Sequence, residues 1–440
     1  MTDHPDSSDA PGSSQGGASV ETSVLCELPA QGPQTKPEPT GPVAPNWPGL
    51  LLLSGIILLG LITNTGATLI GLSVVGSIVL HEFGHYITAK RGGIKVTRAF
   101  VGMGPTLWSI RRGETEYGIK AFPVGGFVRM IGMHNLDEIE DPADEQRTYR
   151  QKSFGRRMLV ITAGSLTHFA VALVLLFTIL FFHGRADSNP AHWHVDAVTP
   201  SSGASAAGLL PGDRIVAVNG TATPTFDDVR VFIKNNAGKT VTLSVVRGQE
   251  TRDLKALVGD HDNVGVARAF LGVGAQGDTQ TVGVVGAVTG SVREFGTESR
   301  RMFSALGNLV SPSKIKDYFS NVSQSPSNVK TKSDDPNAIR FTSPVGIGRI
   351  AGEAANSGWV YSLALIAAIN VSVGIFNLLP LLPLDGGHAL IAIYERVRSR
   401  KRKRYFADVA KMMPVAYATV FLLVVISLSS LYLDVVDSVR

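Results

Sequence analysis

The stretch Gly71-Leu-Ser-Val-Val-Gly-Ser-Ile-Val-Leu-His81-Glu-Phe-Gly-His85 joins two patterns of opposite character. Its first ten residues close an uncharged apolar run. Its last five form a His-Glu-x-x-His motif. On a helix, positions i and i+4 share a face, so His81 and His85 can reach one ion. Glu82 lies beside them and can deprotonate a water held by that ion. Ionisable groups within a membrane-length apolar run are costly and usually functional.

The apolar run covers residues 49–80, more than the roughly 20 residues that one span needs. Thr63-Asn64-Thr65-Gly66 interrupts it as a plausible turn. A short apolar helix is therefore expected over roughly residues 49–62, and a second over roughly 67–90. One long tilted helix is the alternative. Three further uncharged runs, 158–182, 359–384 and 414–433, are each long enough to span. Across the 440 residues, 44% are hydrophobic and 18% charged, and the apolar excess sits in these runs, as in a membrane protein. The expected fold is a polytopic α-helical membrane protein with four core transmembrane helices and one extra N-terminal apolar helix.

Positive charge sets the orientation. The loop 90–157 carries Lys90, Arg91, Lys95, Arg98, Arg111 and Arg112 among others, and Glu395–Arg404 is a basic run. Both are expected inside the cell, which places 185–357 outside. If 49–62 is a separate span, the N-terminus is also inside. Within the first loop, Glu114–Phe122 alternates and Gly125-Gly126 interrupts it. A β-hairpin near the membrane is expected there, with Glu116–Val128 as its free edge.

The remaining segments divide the chain further. Residues 1–48 are rich in Ser, Gly, Pro, Thr and Gln and are expected to be a disordered tail. No signal peptide begins at Met1. The single cysteine, Cys26, excludes an internal disulfide and has no metal role in that stretch. Residues 49–186 form the first membrane region. Residues 187–278 are read as a soluble α+β domain. Within it, Gly203–Gly220 resembles a PDZ domain: small residues lead to Pro211-Gly212-Asp213, a strand over Arg214–Val218 and an Asn219-Gly220 turn. Residues 279–357 are read as a connector with some amphipathic helix, and 358–440 as the second membrane region.

A catalytic zinc usually takes three protein ligands and keeps one position open. Asp385, which follows the third long run in Leu384-Asp385-Gly386-Gly387, lies at the same expected membrane depth as His85. Simple helix capping is the bland alternative for Asp385. Just before it, Pro380 and Pro383 break the helix and free backbone groups, which is tolerated where they line a cavity. Asn377 carries a side-chain donor for a developing oxyanion, or bonds the broken helix.

His81–His85 in an early span, Leu384-Asp385-Gly386 in a late one and the PDZ-like stretch between them resemble the site-2 protease family of zinc intramembrane metalloproteases. The similarity is to its bacterial RseP-like branch and covers roughly residues 67–433. Supporting pieces are Gly102-Met-Gly-Pro105, Pro123–Val128 and Ser343–Ile347. The resemblance implies zinc-dependent proteolysis of transmembrane helices in regulated intramembrane proteolysis. It implies His81, His85 and Asp385 as zinc ligands, Glu82 as base and Asn377 as transition-state support. It makes Pro123–Val128 part of a reentrant hairpin that presents substrate as a strand. It also implies a multi-pass protein of a bacterial cell membrane, in contact with lipid. Its substrates would be single-span membrane proteins, such as anti-sigma factors, already cut by another protease. No nucleic-acid partner is implied. One departure is Ala163-Gly-Ser-Leu-Thr-His168, where the family often has an Ala-Gly-Pro-x-x-Asn-like pattern.

Two other classes compete. In a metal-ion transporter the same residues would form a transport site, with Glu82 as a further ligand. In an inactive membrane scaffold the PDZ-like domain would only bind partners.

Overall fold

The computed structural model describes residues 41–133, 139, 141–187, 189–261, 267–309, 311–314, 316, 343–399 and 405–438. Expectations for residues 1–40, Cys26 included, for the late connector 317–342 and for 400–404 of the basic run lie outside these.

The long apolar run breaks at one residue. Helix α1 (Trp47–Thr63) ends and helix α2 (Thr65–Arg91) begins at Asn64. The Asn64 N–H donates to Gly60 O at 2.8 Å, and its side chain accepts the Ala67 N–H at 2.9 Å. One asparagine thus satisfies backbone groups of both helices.

A β-structure follows, made of strands β1 (Val96–Arg112) and β2 (Thr115–Met130). Both strands bend at glycines with φ near +80 to +90°, Gly102 and Gly104 in one and Gly125 in the other, a conformation that side chains disfavour. The bends fold each strand on itself. Arg98–Val101 consequently pairs with Glu116–Ile119 on one side and with Gly126–Arg129 on the other. Glu116–Ile119 in turn also pairs with Trp108–Arg111. The expected free edge at Glu116–Val128 is corrected by this pairing: Glu116–Ile119 is interior, with partners on both sides. The outer flank at Leu107–Ser109 is covered by the chain before α1, through Asn46 N to Leu107 O (2.8 Å) and Ser109 N to Val43 O (3.0 Å). Among the described residues, the flank at Gly126–Met130 stays open. Glu114 at the turn bonds Lys90 and Arg147, each at 2.6 Å, fastening the hairpin to the end of α2. Burial pushes its carboxyl up, but the two cations outweigh this and hold it below the ordinary range.

Helix α3 (Phe154–Phe182) leads to a small α+β unit. In chain order it contains β3 (Arg185–Ala186), β4 (Trp193–Val198), α4 (Gly203–Ala206), β5 (Arg214–Val218), β6 (Thr221–Ala222), α5 (Phe226–Lys234), β7 (Thr240–Arg247), β8 (Glu250–Leu257), β9 (Gly259–His261), β10 (Ala267–Phe270), β11 (Val273–Gly277) and β12 (Thr279–Gln280). A four-stranded sheet runs β6-β5-β7-β8, while β4 pairs with β11 and β3 with β12. Asn219 and Gly220 both have positive φ, 49° and 79°, as a tight hairpin turn requires. The core is apolar, built on Trp193, Val195, Ile215, Val229, Leu243 and Val245.

The chain returns through helices α6 (Val284–Leu309), α7 (Pro344–Asn356) and α8 (Trp359–Asn377), then α9 (Asp385–Arg398) and α10 (Met413–Ser438). The connector expected over 279–357 thus holds a long amphipathic helix, α6, whose Phe295 packs on Phe169 of α3. Among the described residues, four helices are long and apolar enough to cross a membrane: Thr65–Arg91, Phe154–Phe182, Trp359–Asn377 and Met413–Asp434. At 17 residues, α1 is about 25 Å long, slightly under a bilayer core. The run 359–384 is not one helix. It ends at Asn377, and a turn containing Pro380 and Pro383 precedes α9.

Candidate metal centre

The centre is assembled at the crossing of α2, α3 and the first turn of α9. Glycines let the backbones approach. A Cβ at Gly84 would lie 2.9 Å from Ala163 O, and one at Gly164 would lie 2.4 Å from His81 Cε1 and 2.5 Å from His85 Nε2. The imidazoles of α2 therefore rest directly on the backbone of α3. At α9, Cβ atoms on Gly386 and Gly387 would strike the backbone of Leu378–Leu382. These two glycines let the helix start tuck into the preceding turn, which carries Asp385 to the histidines.

Three donor atoms meet there. His81 Nε2 and His85 Nε2 are 3.1 Å apart, and Asp385 Oδ2 lies 3.5 Å and 3.3 Å from them. Tetrahedral zinc with bonds of about 2.0–2.1 Å separates its ligands by about 3.3 Å. His85 Nδ1 lies 2.7 Å from the Val160 carbonyl, an acceptor, so Nδ1 carries the proton and Nε2 presents a lone pair. Asp385 Oδ2 is buried without a hydrogen-bond partner. A buried, unpaired carboxylate oxygen facing an imidazole lone pair is unfavourable without a cation. The donor set fits a metal ion, and among the described residues it is the group of three that can hold one.

Glu82 sits outside this triangle. Its Cγ lies against Gly126, where a Cβ would be 2.9 Å away. It thus stands between the histidines and the open flank of the hairpin. A groove of about 630 Å³ runs from Glu82 and Phe83 of α2 past Tyr86, Trp108 and Tyr117. Asn377 ends α8 and is half-buried. Among the described residues it makes no hydrogen bond with the triangle.

Other contributors are less visible in the sequence. His168 is buried, with its ring 5.0 Å from that of His81. Its Nδ1 meets Asn370 Oδ1 at 2.8 Å, while Asn370 Nδ2 donates to Ile366 O at 2.8 Å. Asn370 and His168 each interrupt an otherwise apolar run, and that was the signal available for them. Nothing in the sequence signals what Gly164, Gly126 and the Val160 carbonyl do here, because their importance is a matter of close approach.

A family model described as Peptidase family M50 matches residues 68–423. The zinc metalloprotease Rip1 of Mycobacterium tuberculosis is 31% identical over 415 residues, covering 86% of this chain and 98% of its own length. A putative zinc metalloprotease of Mesorhizobium japonicum is 30% identical, covering 79% of this chain and 92% of its own. One from Clostridium perfringens is 29% identical, covering 73% and 85%.

Proposed function

The chain belongs to peptidase family M50 and is a multi-pass, zinc-dependent intramembrane protease; we propose that His81, His85 and Asp385 hold its zinc and Glu82 is its base. The observation that carries this is the triangle of donors, with one histidine tautomer set by Val160 and one carboxylate oxygen left without a partner. When bound, zinc supplies Lewis-acid polarisation and an acidified water at its open position. The Glu82 carboxylate takes the proton of the attacking water and returns it to the leaving amine. Because Glu82 lies outside the ligand triangle, it serves as a base and not as the extra ligand that transport would need. Asn377, at the end of α8 just before the turn leading to Asp385, offers its amide N–H to the developing oxyanion.

A transmembrane helix hides its peptide bonds, and unwinding it in lipid leaves groups unsatisfied at several kcal/mol each. The open flank at Gly126–Met130 answers that need. An unwound substrate adds there as a strand, with its side chains in the apolar groove and its backbone beside Glu82.

The unit at 187–278 reads as PDZ-like, supported by its Asn219-Gly220 turn and by a groove between α5 and residues 269–273. Together with 279–357 it lies outside the bacterial cell membrane, between membrane regions 49–186 and 358–440. There it excludes substrates that still carry a large outer domain. Substrates are then single-span proteins, such as anti-sigma factors, trimmed beforehand by another protease.

Glu82→Gln tests the assignment. Turnover should fall about 10³-fold, while elemental analysis still finds one zinc. A Glu82→Gln protein that cuts at the wild-type rate would remove Glu82 from the mechanism.

A further inference from the structure

We propose that Arg157 and Glu395 form a positioning device that sets the register of α9 against α3 and so places Asp385 opposite His81 and His85. The inference rests on the metal-centre reading above.

Arg157 lies in the first turn of α3 and Glu395 in the last turn of α9. Both are buried, and Arg157 Nη1 meets Glu395 Oε2 at 2.5 Å. The other carboxylate oxygen accepts the Ala407 N–H at 2.8 Å, which ties down the segment leading to α10. The Arg157 guanidinium also lies 5.6 Å over the Tyr149 ring.

Each partner shares an element with part of the centre. Val160, whose carbonyl orients His85, is one turn beyond Arg157 on α3, and Gly164 is one turn further. Asp385 begins the same 14-residue helix that Glu395 nearly ends. Between these points α9 packs near α3, with Ala389 and Ala392 in one buried cluster with Val160 and Ile161. Alanines make shallow ridges, so such a contact resists sliding and rotation poorly. A directional ion pair resists both.

A buried ion pair contributes little net stability, because desolvation offsets its attraction. Register is the use that remains for it. A cavity of about 290 Å³ adjoins the pair, so larger apolar side chains had room to replace it.

The test uses the full-length enzyme in three variants: Glu395→Gln, the apolar pair Arg157→Met/Glu395→Met, and the swap Arg157→Glu/Glu395→Arg. Zinc affinity is read by chelator competition, alongside kcat, KM and thermal unfolding. Glu395→Gln should weaken zinc binding roughly tenfold and lower kcat by a similar factor, with KM unchanged. The apolar pair should fold at least as well as wild type yet keep the weakened zinc affinity; if Glu395→Gln fails to fold, this pair carries the test. The swap should recover part of the affinity. Folded variants that bind zinc as tightly as wild type, with only the unfolding temperature changed, overturn the proposal. His81→Ala serves as the reference. If it retains zinc, the metal-centre reading itself is wrong. If it loses zinc while Glu395→Gln does not, only the positioning role fails.

Discussion

The membrane helices and the inserted α+β unit bury opposite kinds of side chain. The α+β unit encloses Val195, Ile215, Leu243 and Val245 and leaves most of its polar groups at its surface, with Asp213, buried against the partly exposed Arg247, as the main exception. The helices turn large apolar side chains such as Leu72, Leu166 and Phe421 outward. They enclose His81, His85, His168, Asn370, Arg157 and Glu395. In water, apolar burial drives folding. In lipid that drive between helices is absent, so close packing and polar contacts do more of the holding. Interior substitutions should therefore damage chemistry in one region and stability in the other.

The strongest attempt to break this contrast is Gly164→Ala. The new methyl would overlap the rings of His81 and His85; with these as the proposed zinc ligands, zinc binding should be lost and turnover should fall more than 100-fold. Hydrogen exchange in the α+β unit should stay unchanged. Equal loosening of both regions, with zinc retained, would show that they are not separable.

The matching change in the α+β unit is Leu243→Ala. Leu243 is fully buried in β7, and its truncation should destabilise the unit by about 2–5 kcal/mol. Exchange of the β7 amides in the full-length protein reports this, with zinc content as control. Loss of zinc in this variant would couple the two regions.

The smallest effect sharpens the exception. Asp213 accepts two bonds from Arg247, both at 2.7 Å, and one from the Leu210 N–H at 2.8 Å. Burial pushes its carboxyl up, but Arg247 and the Leu210 N–H hold it below the ordinary range. A depressed carboxylate contributes stability above its unfolded value, about 3.9, and loses it as pH falls through the folded value. Asp213→Asn should cost about 1.5–3 kcal/mol at neutral pH. In urea unfolding, the gap between mutant and wild type should close below about pH 4. A gap that persists in acid would mean that the charge is not what stabilises the pair.

Much of the architecture was legible along the chain. Uncharged runs marked the spans, and Thr63–Gly66 marked the break that Asn64 makes. Asn219-Gly220 marked a turn, and His81, His85 and Asp385 marked three donor groups that the fold brings together. All of these depend on neighbours in sequence or on residue types that only one chemistry suits. The hairpin edge was misplaced for the opposite reason. Alternation over Glu114–Phe122 announces a strand, but which flank stays open depends on how distant segments fold back at Gly102, Gly104 and Gly125.

By itself, then, the sequence determined a membrane protein with a His-Glu-x-x-His helix, a late Asp385 and an inserted α+β unit, because composition and periodicity act locally. Tertiary structure alone decided that Gly164 lies under the histidines, that Val160 selects the His85 tautomer and that Arg157 reaches Glu395. Those contacts join residues far apart in the chain at distances of a few ångströms. No local pattern encodes such an approach, because it is set by how whole helices pack.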